Sequence, residues 1–207
     1  CHTGKQPPCT EAVLASGVKR VIVGCTDPNP VVAGRGIRLL REKGLEVVAG
    51  VLRGECERQN EVFFHFMRTK LPFTVLKYAM TLDGKTATVS GKSQWITGEA
   101  ARKRVHEDRG RYMAILTGVS TVLADNPQLT CRIPGGKNLI RVIADTKLRT
   151  PLSSTVVQTA RETPTWIVTA VSDTGRKKAY EDAGCRVLSI PAKEGELDLQ
   201  AMMQRLG

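Results

Sequence analysis

Residues 112–144, YMAILTGVSTVLADNPQLTCRIPGGKNLIRVIA, carry the pattern that decides the fold. Tyr112–Thr117 is an apolar run of strand length, Val119–Ala124 reads as a helical turn, and Leu139–Ala144 is a second apolar run. Strands that are apolar along their whole length are covered on both faces, and a helix between two of them makes the crossover of a parallel sheet. Pro134–Lys137 (P-G-G-K) supplies a flexible loop ahead of the second strand.

The same alternation extends in both directions. Downstream come a strand at Thr165–Thr169, a helix at Thr174–Ala183, a strand at Arg186–Ile190 and a helix at Asp198–Gly207 with Asp198 as its cap. Leu199, Met202, Met203 and Leu206 place that last helix's apolar stripe at i, i+3, i+4 and i+7. Upstream, a helix is expected at Gly98–Gly110 and a strand at Phe73–Met80. Leu71-Pro72 interrupts the pattern, so a domain boundary is expected near Lys70, dividing the chain into residues 1–70 and 71–207. The first part reads as helix Thr10–Ser16 (Thr10 as cap), strand Arg20–Thr26, helix Gly36–Lys43, strand Leu45–Val51 and a long helix Cys56–Lys70. The fold class is therefore α/β.

Composition bounds the function. The 207 residues are 41% hydrophobic and 25% charged, which excludes disordered and low-complexity classes. No apolar run approaches the roughly 18 residues that span a bilayer, so no membrane partner is expected. Six cysteines are too few for a disulfide scaffold, which points to a reducing compartment, the cytoplasm. The net charge of +11 invites phosphate-bearing partners, small or polymeric. Aromatic residues at 4% are too sparse for a base-stacking platform, so a nucleic-acid-binding module is the weaker alternative. The chain opens at Cys1 inside a motif-like stretch, C-H-T-G-K-Q-P-P-C-T, and is expected to be a piece open at both ends.

Three separated stretches, L-K-Y-A-M-T-L-D-G-K-T-A (76–87), S-G-K-S-Q-W-I-T-G (90–98) and I-L-T-G-V-S-T-V-L-A-D-N-P-Q-L-T-C-R (115–132), together resemble the reductase domain of the bifunctional riboflavin-biosynthesis deaminase/reductases. Ahead of them, Cys1…Pro7-Pro8-Cys9, Asp27-Pro28-Asn29-Pro30 and Gly34-Arg35-Gly36 resemble the deaminase half of the same family. The resemblance implies the end of a cytidine-deaminase-like α/β/α domain, followed by an incomplete dihydrofolate-reductase-like α/β domain. It implies NADPH as cofactor, zinc in the deaminase half, and a phosphorylated aminopyrimidine whose ribosyl group is reduced to ribityl. A homo-oligomer is also expected.

Carried over from the family, Ala79, Trp95, Thr121, Asp125 and Thr146 match positions that contact NADPH. Lys77, Ser93, Arg109, Leu129 and Arg132 lie on the substrate side, and Lys77 with Asp125 is expected to organise the reacting centre. The residues themselves are consistent with these roles. Lys77 sits in an expected strand, where its ammonium would be aimed at an anion or carbonyl. Trp95 offers a flat ring for a nicotinamide or ribose, or else a core anchor. Gly118–Thr121 opens a helical turn after a strand, with N–H groups suited to a diphosphate. Arg109 and Arg132 match a ribose 5-phosphate through guanidinium geometry.

Zinc deaminases hold their metal with a histidine and two cysteines, and use the glutamate of an H-x-E as proton shuttle. Cys9, after Pro7-Pro8 at a helix start, fits one ligand, since the helix dipole favours thiolate. Seven residues separate Cys1 from Cys9 where the family has eight, which makes Cys1 the neighbour of a ligand; both cysteines being ordinary thiols is the alternative. None of His2, His65 and His106 begins an H-x-E, so the deaminase half lacks its shuttle in this sequence.

Overall fold

A computed structural model describes residues 7–207, which divide into two compact units: residues up to Val75 with Met203–Gly207, and Leu76–Met202. Cys1 and His2 lie outside the described residues.

In the first unit, α1 (Cys9–Ala15) starts one residue earlier than the sequence suggests. Pro8 takes the cap position at φ −56, and Thr10 is buried inside the helix instead of capping it. β1 (Arg20–Val23) and β2 (Glu46–Ala49) pair in parallel with α2 (Arg35–Glu42) between them, a small βαβ unit. The single long helix expected over 56–70 is two helices, α3 (Arg53–Gln59) and α4 (Glu61–Thr69). Asn60 separates them: its side-chain amide donates to the Cys56 carbonyl at 2.9 Å, a bond that competes with the helical ladder.

The second unit is built on one sheet of four parallel strands in the order β3 (Ala114–Gly118), β4 (Ile140–Ala144), β5 (Thr165–Thr169), β6 (Arg186–Ser189). Crossovers are made by α6 (Val119–Asp125), the short α7 (Thr155–Gln158) and α8 (Thr174–Asp182), with α5 (Glu99–Arg111) leading into β3. A two-residue hairpin, β7 (Ala192–Lys193) with β8 (Glu196–Leu197), precedes α9 (Leu199–Leu206). Asp198 caps α9 as expected, accepting from the Ala201 N–H at 3.0 Å.

Phe73–Met80 is not a strand. It has no ladder partner among the described residues, and Val75, Leu76, Tyr78 and Met80 stay exposed. An apolar, strand-length sequence becomes a strand only when a neighbour takes its N–H and C=O groups. The turns that follow do form: Thr81 N–H donates to the Lys85 carbonyl across Asp83-Gly84, and Gly84 at φ 78 supplies the left-handed residue.

Ile143, Val156, Val157, Ile167 and Val168 are fully buried, each burial stabilising by about 1.5–3 kcal/mol before entropic costs. Among them lies a charged residue, Arg141 on β4, with no exposed surface. Its guanidinium reaches six acceptors: Thr165 Oγ1 (2.9 Å), Gln128 O (3.0 Å), Thr159 Oγ1 (2.9 Å), Val156 O (3.1 Å), Thr159 O (3.1 Å) and Thr163 O (2.8 Å). No carboxylate lies within ion-pair distance among the described residues. Carbonyl dipoles therefore replace the water, and burial pulls the guanidinium below its ordinary pKa.

Two outcomes follow from this core. Arg141→Met removes a donor from four carbonyls and leaves that of Gln128 with no other donor among the described residues, and is expected to lower unfolding free energy by about 1–3 kcal/mol in urea titrations. The second concerns alkali. Burial pushes the Cys185 thiol up to about 11 and raises the Tyr180 phenol, the latter also opposed by Asp145. Both stay protonated in the fold while the unfolded chain releases its protons at ordinary values. Their contribution is thus complete below about pH 9 and declines as pH rises toward 11, by roughly 1–2 kcal/mol for Cys185. Urea midpoints between pH 8 and 11 should fall accordingly, and Cys185→Ala should flatten the fall.

Candidate functional site

The site residues on the second unit are organised by α5 and by the loop that joins α6 to β4. His106 and Arg109, three apart, share one face of α5. The neighbouring carboxylates are engaged elsewhere: Glu107 at 3.9 Å and Asp108 at 3.2 Å both pair with Arg104. No ion pair forms at Arg109 or Arg132 among the described residues.

The loop is held against α5 from several sides. Asn126 ends α6 in the left-handed region (φ 41), and its side-chain oxygen accepts from the Thr155 N–H at 2.8 Å. Arg141 takes the Gln128 carbonyl. Leu129, at φ 53, drops its side chain into the core at 7% exposure, so this residue anchors the loop from inside. Thr130–Arg132 are thereby delivered to α5. Arg109 Nη1 donates to the Thr130 carbonyl at 3.0 Å, and the Cys131 thiol donates to the His106 carbonyl at 3.2 Å. The Arg132 N–H donates to His106 Nδ1 at 3.2 Å, and Arg132 Nη2 lies 3.1 Å from His106 Nε2.

This cluster is cationic and uncompensated. Burial, then the charge of Arg132, pushes the Arg109 guanidinium below its ordinary pKa. Burial, then Arg132, then Arg109, pushes His106 below its own. Arg109 Nε is buried with no hydrogen-bond partner among the described residues. Two guanidiniums with spare donors and no carboxylate form the chemistry of an oxyanion site. Sequence reasoning found both arginines. It passed over His106, whose only signal was its spacing from Arg109.

A second group follows the carboxyl ends of the parallel strands, the usual ligand side of such sheets. Gly118 ends β3 and caps α6, and a side chain placed on it would meet nothing within 4 Å, so its backbone is open to approach. Thr121 is exposed on α6; Asp125, its last residue, is exposed and its carboxylate accepts no hydrogen bond from the described residues. Thr146 follows β4, and its hydroxyl donates to Glu196 Oε2 at 2.9 Å, so this hydroxyl is already engaged within the unit. The preceding Asp145 is fully buried; one carboxylate oxygen accepts from the Thr150 N–H (2.7 Å) and hydroxyl (2.8 Å), while Oδ1 has no partner.

Lys77, Ala79, Ser93 and Trp95 lie on the segment before α5, outside any helix or strand. Lys77 is exposed and outside any strand, which corrects the strand placement expected from sequence. Trp95 is 70% exposed, so it is no core anchor; the Arg102 guanidinium covers its ring at 4.6 Å. No hydrogen bond joins these four residues to the arginine cluster.

On the first unit, Cys9 is exposed at the first residue of α1. Among the described residues no three His, Cys, Asp or Glu side chains come together as a metal would require. The described residues therefore do not fit a zinc site, and no helix is long and apolar enough to cross a membrane.

Comparison with known proteins places this geometry in context. Residues 72–207 match the family model described as the RibD C-terminal domain. The riboflavin biosynthesis protein RibD of Actinobacillus pleuropneumoniae is 49% identical over 207 residues, all of this chain and 55% of that protein. That of Bacillus amyloliquefaciens is 52% identical over 191 residues, 91% of this chain and 51% of the relative. The chain thus spans about half the length of the curated relatives it matches. Among solved structures, Acinetobacter baumannii RibD (form 1) aligns with a TM-score of 0.79 at 35% identity over 99% of this chain and 56% of that one. The Thermotoga maritima diaminohydroxyphosphoribosylaminopyrimidine deaminase/5-amino-6-(5-phosphoribosylamino)uracil reductase aligns at 0.74, with 38% identity over 91% of this chain and 59% of that one. These comparisons lend no support to the nucleic-acid alternative.

Proposed function

The chain belongs to the RibD C-terminal domain family, and from that premise we propose that it is the reductase part of a riboflavin-biosynthesis enzyme, reducing the ribosyl group of a phosphorylated aminopyrimidine to ribityl with NADPH. The observation that carries the reading is the Arg109–Arg132 pair, two guanidiniums with no carboxylate partner and with a buried Nε–H left to donate. They hold the ribose 5-phosphate. Leu129 keeps their loop in place from the core, and Ser93 offers a hydroxyl to the same substrate.

NADPH supplies the hydride. The open backbone at Gly118 and the exposed Thr121 offer donors to its phosphates, and the exposed ring of Trp95 offers a stacking face. Ala79, Asp125 and Thr146 complete the cofactor's contacts; Thr146 would share its hydroxyl between the cofactor and Glu196. Lys77 and Asp125 carry exposed charges of opposite sign that no described residue neutralises, and they organise the reacting carbon, where a proton must accompany the hydride. No deamination step is assigned to the described residues, because they assemble no zinc site.

Taken alone, these 207 residues do not turn over. Among the described residues the segment bearing Lys77, Ala79, Ser93 and Trp95 has no ladder to fix it, and preorganisation to within about 0.5 Å is what such sites need. NADPH oxidation in the presence of the aminopyrimidine ribosyl phosphate is expected only when these residues are carried in a protein of the relatives' full length. In that protein Arg132→Ala should raise the substrate KM by about 10- to 100-fold, the loss of a charge-assisted contact, and leave the NADPH KM within about twofold. Equal losses for both ligands would overturn the phosphate assignment, and turnover by the 207-residue chain would overturn the statement about preorganisation.

A further inference from the structure

The protons of His106 bear on what the arginine cluster binds. Nδ1 accepts the Arg132 backbone N–H at 3.2 Å. A neutral imidazole carries one proton, so with Nδ1 accepting, Nε2 is the nitrogen that holds it. That Nε2–H lies 3.1 Å from Arg132 Nη2, which is also a donor. Two donors at this distance oppose each other until an acceptor rests against both.

The surroundings contain no such acceptor of negative charge. From its own helix His106 faces Arg109, and from the loop it faces Arg132 and the Thr130 carbonyl, a neutral acceptor that the ring shares with Arg109 and that does not lie against Arg132 Nη2. Cys131 is turned to the His106 carbonyl, and Glu107 and Asp108 are turned to Arg104. Burial, then the charges of Arg132 and Arg109, oppose protonation of the ring and favour the one-proton form, against the pull of the Thr130 carbonyl. A second unfilled donor, Arg109 Nε, is buried in the same cluster.

We propose that His106 is a third ligand of the bound phosphate, its Nε2–H and Arg132 Nη2 together gripping one phosphate oxygen. The proposal rests on the reading of Arg109 and Arg132 as the phosphate site. The arginines attract any anion by charge. His106 adds a neutral donor whose direction is set by its Nδ1 bond to the backbone, so it fixes where the oxygen sits. The ligand class is a phosphate monoester on a sugar.

The test uses the 207-residue chain with ribose 5-phosphate, and with ribose as control. In ¹⁵N–¹H spectra of the imidazoles, His106 should show the Nε2–H tautomer, and its Nε2–H resonance should shift with ribose 5-phosphate and not with ribose. His106→Asn keeps an acceptor where Nδ1 stood but has no donor at the Nε2 position. It should weaken ribose 5-phosphate about tenfold with a thermal midpoint close to wild type, and His106→Gln, which restores a donor near Nε2, should recover part of the loss. If ribose 5-phosphate binds and Arg132→Ala abolishes binding, yet His106→Asn binds like wild type, the His106 proposal fails and the arginine reading stands. If wild type does not bind it, or Arg109→Ala and Arg132→Ala bind it unchanged, the arginine reading fails and this one with it. An Nδ1–H tautomer would also overturn the proposal.

Discussion

The burial of Arg141 is the constraint on which the second unit depends. An isolated guanidinium taken out of water costs several kcal/mol, and among the described residues no ion pair offsets it, Glu162 favouring the charge only from beyond contact distance. It is tolerated because six acceptors surround five N–H donors, with one donor shared. Those acceptors come from β5 (Thr165), α7 and its end (Val156, Thr159), the turn before β5 (Thr163) and the loop after α6 (Gln128). A single side chain on β4 thereby ties together elements far apart in sequence. The Gln128 carbonyl has no other donor among the described residues, while those of Val156, Thr159 and Thr163 also accept from Thr165 or from the backbone, so the acceptors are themselves held in place.

The consequence for the site is geometric. The Gln128 carbonyl held by Arg141 and the buried Leu129 side chain leave the loop little freedom just before Thr130–Arg132. The loop then presents a backbone N–H to His106 and a carbonyl to Arg109. Charge works in the same direction. Glu107 and Asp108 are drawn to Arg104, which leaves Arg109 with no carboxylate partner among the described residues. A structural arginine with every donor satisfied and a pair of arginines with donors to spare thus stand a short stretch of chain apart, and the difference between them is where acceptors were provided.

How much was legible varies by residue for physical reasons. Thr165–Thr169 was readable because a β-branched run reports a local strand preference. α7 and the β7–β8 hairpin were missed, since two- to four-residue elements carry no period to detect. Phe73–Met80 has every local mark of a strand and is not one, because a ladder needs a second chain segment beside it. In the site, Arg109 and Arg132 stood out by residue type and by resemblance. His106 did not, as its partner Arg132 lies 26 positions away.

By itself the sequence determined the alternation of strands and helices, the apolar faces that bury the parallel sheet, the excess of positive charge and the motifs of the reductase family, because these depend on residue type and short-range spacing. Only the tertiary structure decided that Arg141 is buried and Arg132 exposed, that Trp95 faces outward, and that the Thr146 hydroxyl is taken by Glu196. It also decided that His106 presents one nitrogen to a backbone N–H and the other to a guanidinium. Each of these depends on which donors and acceptors meet across many residues of chain, and local sequence does not encode that encounter.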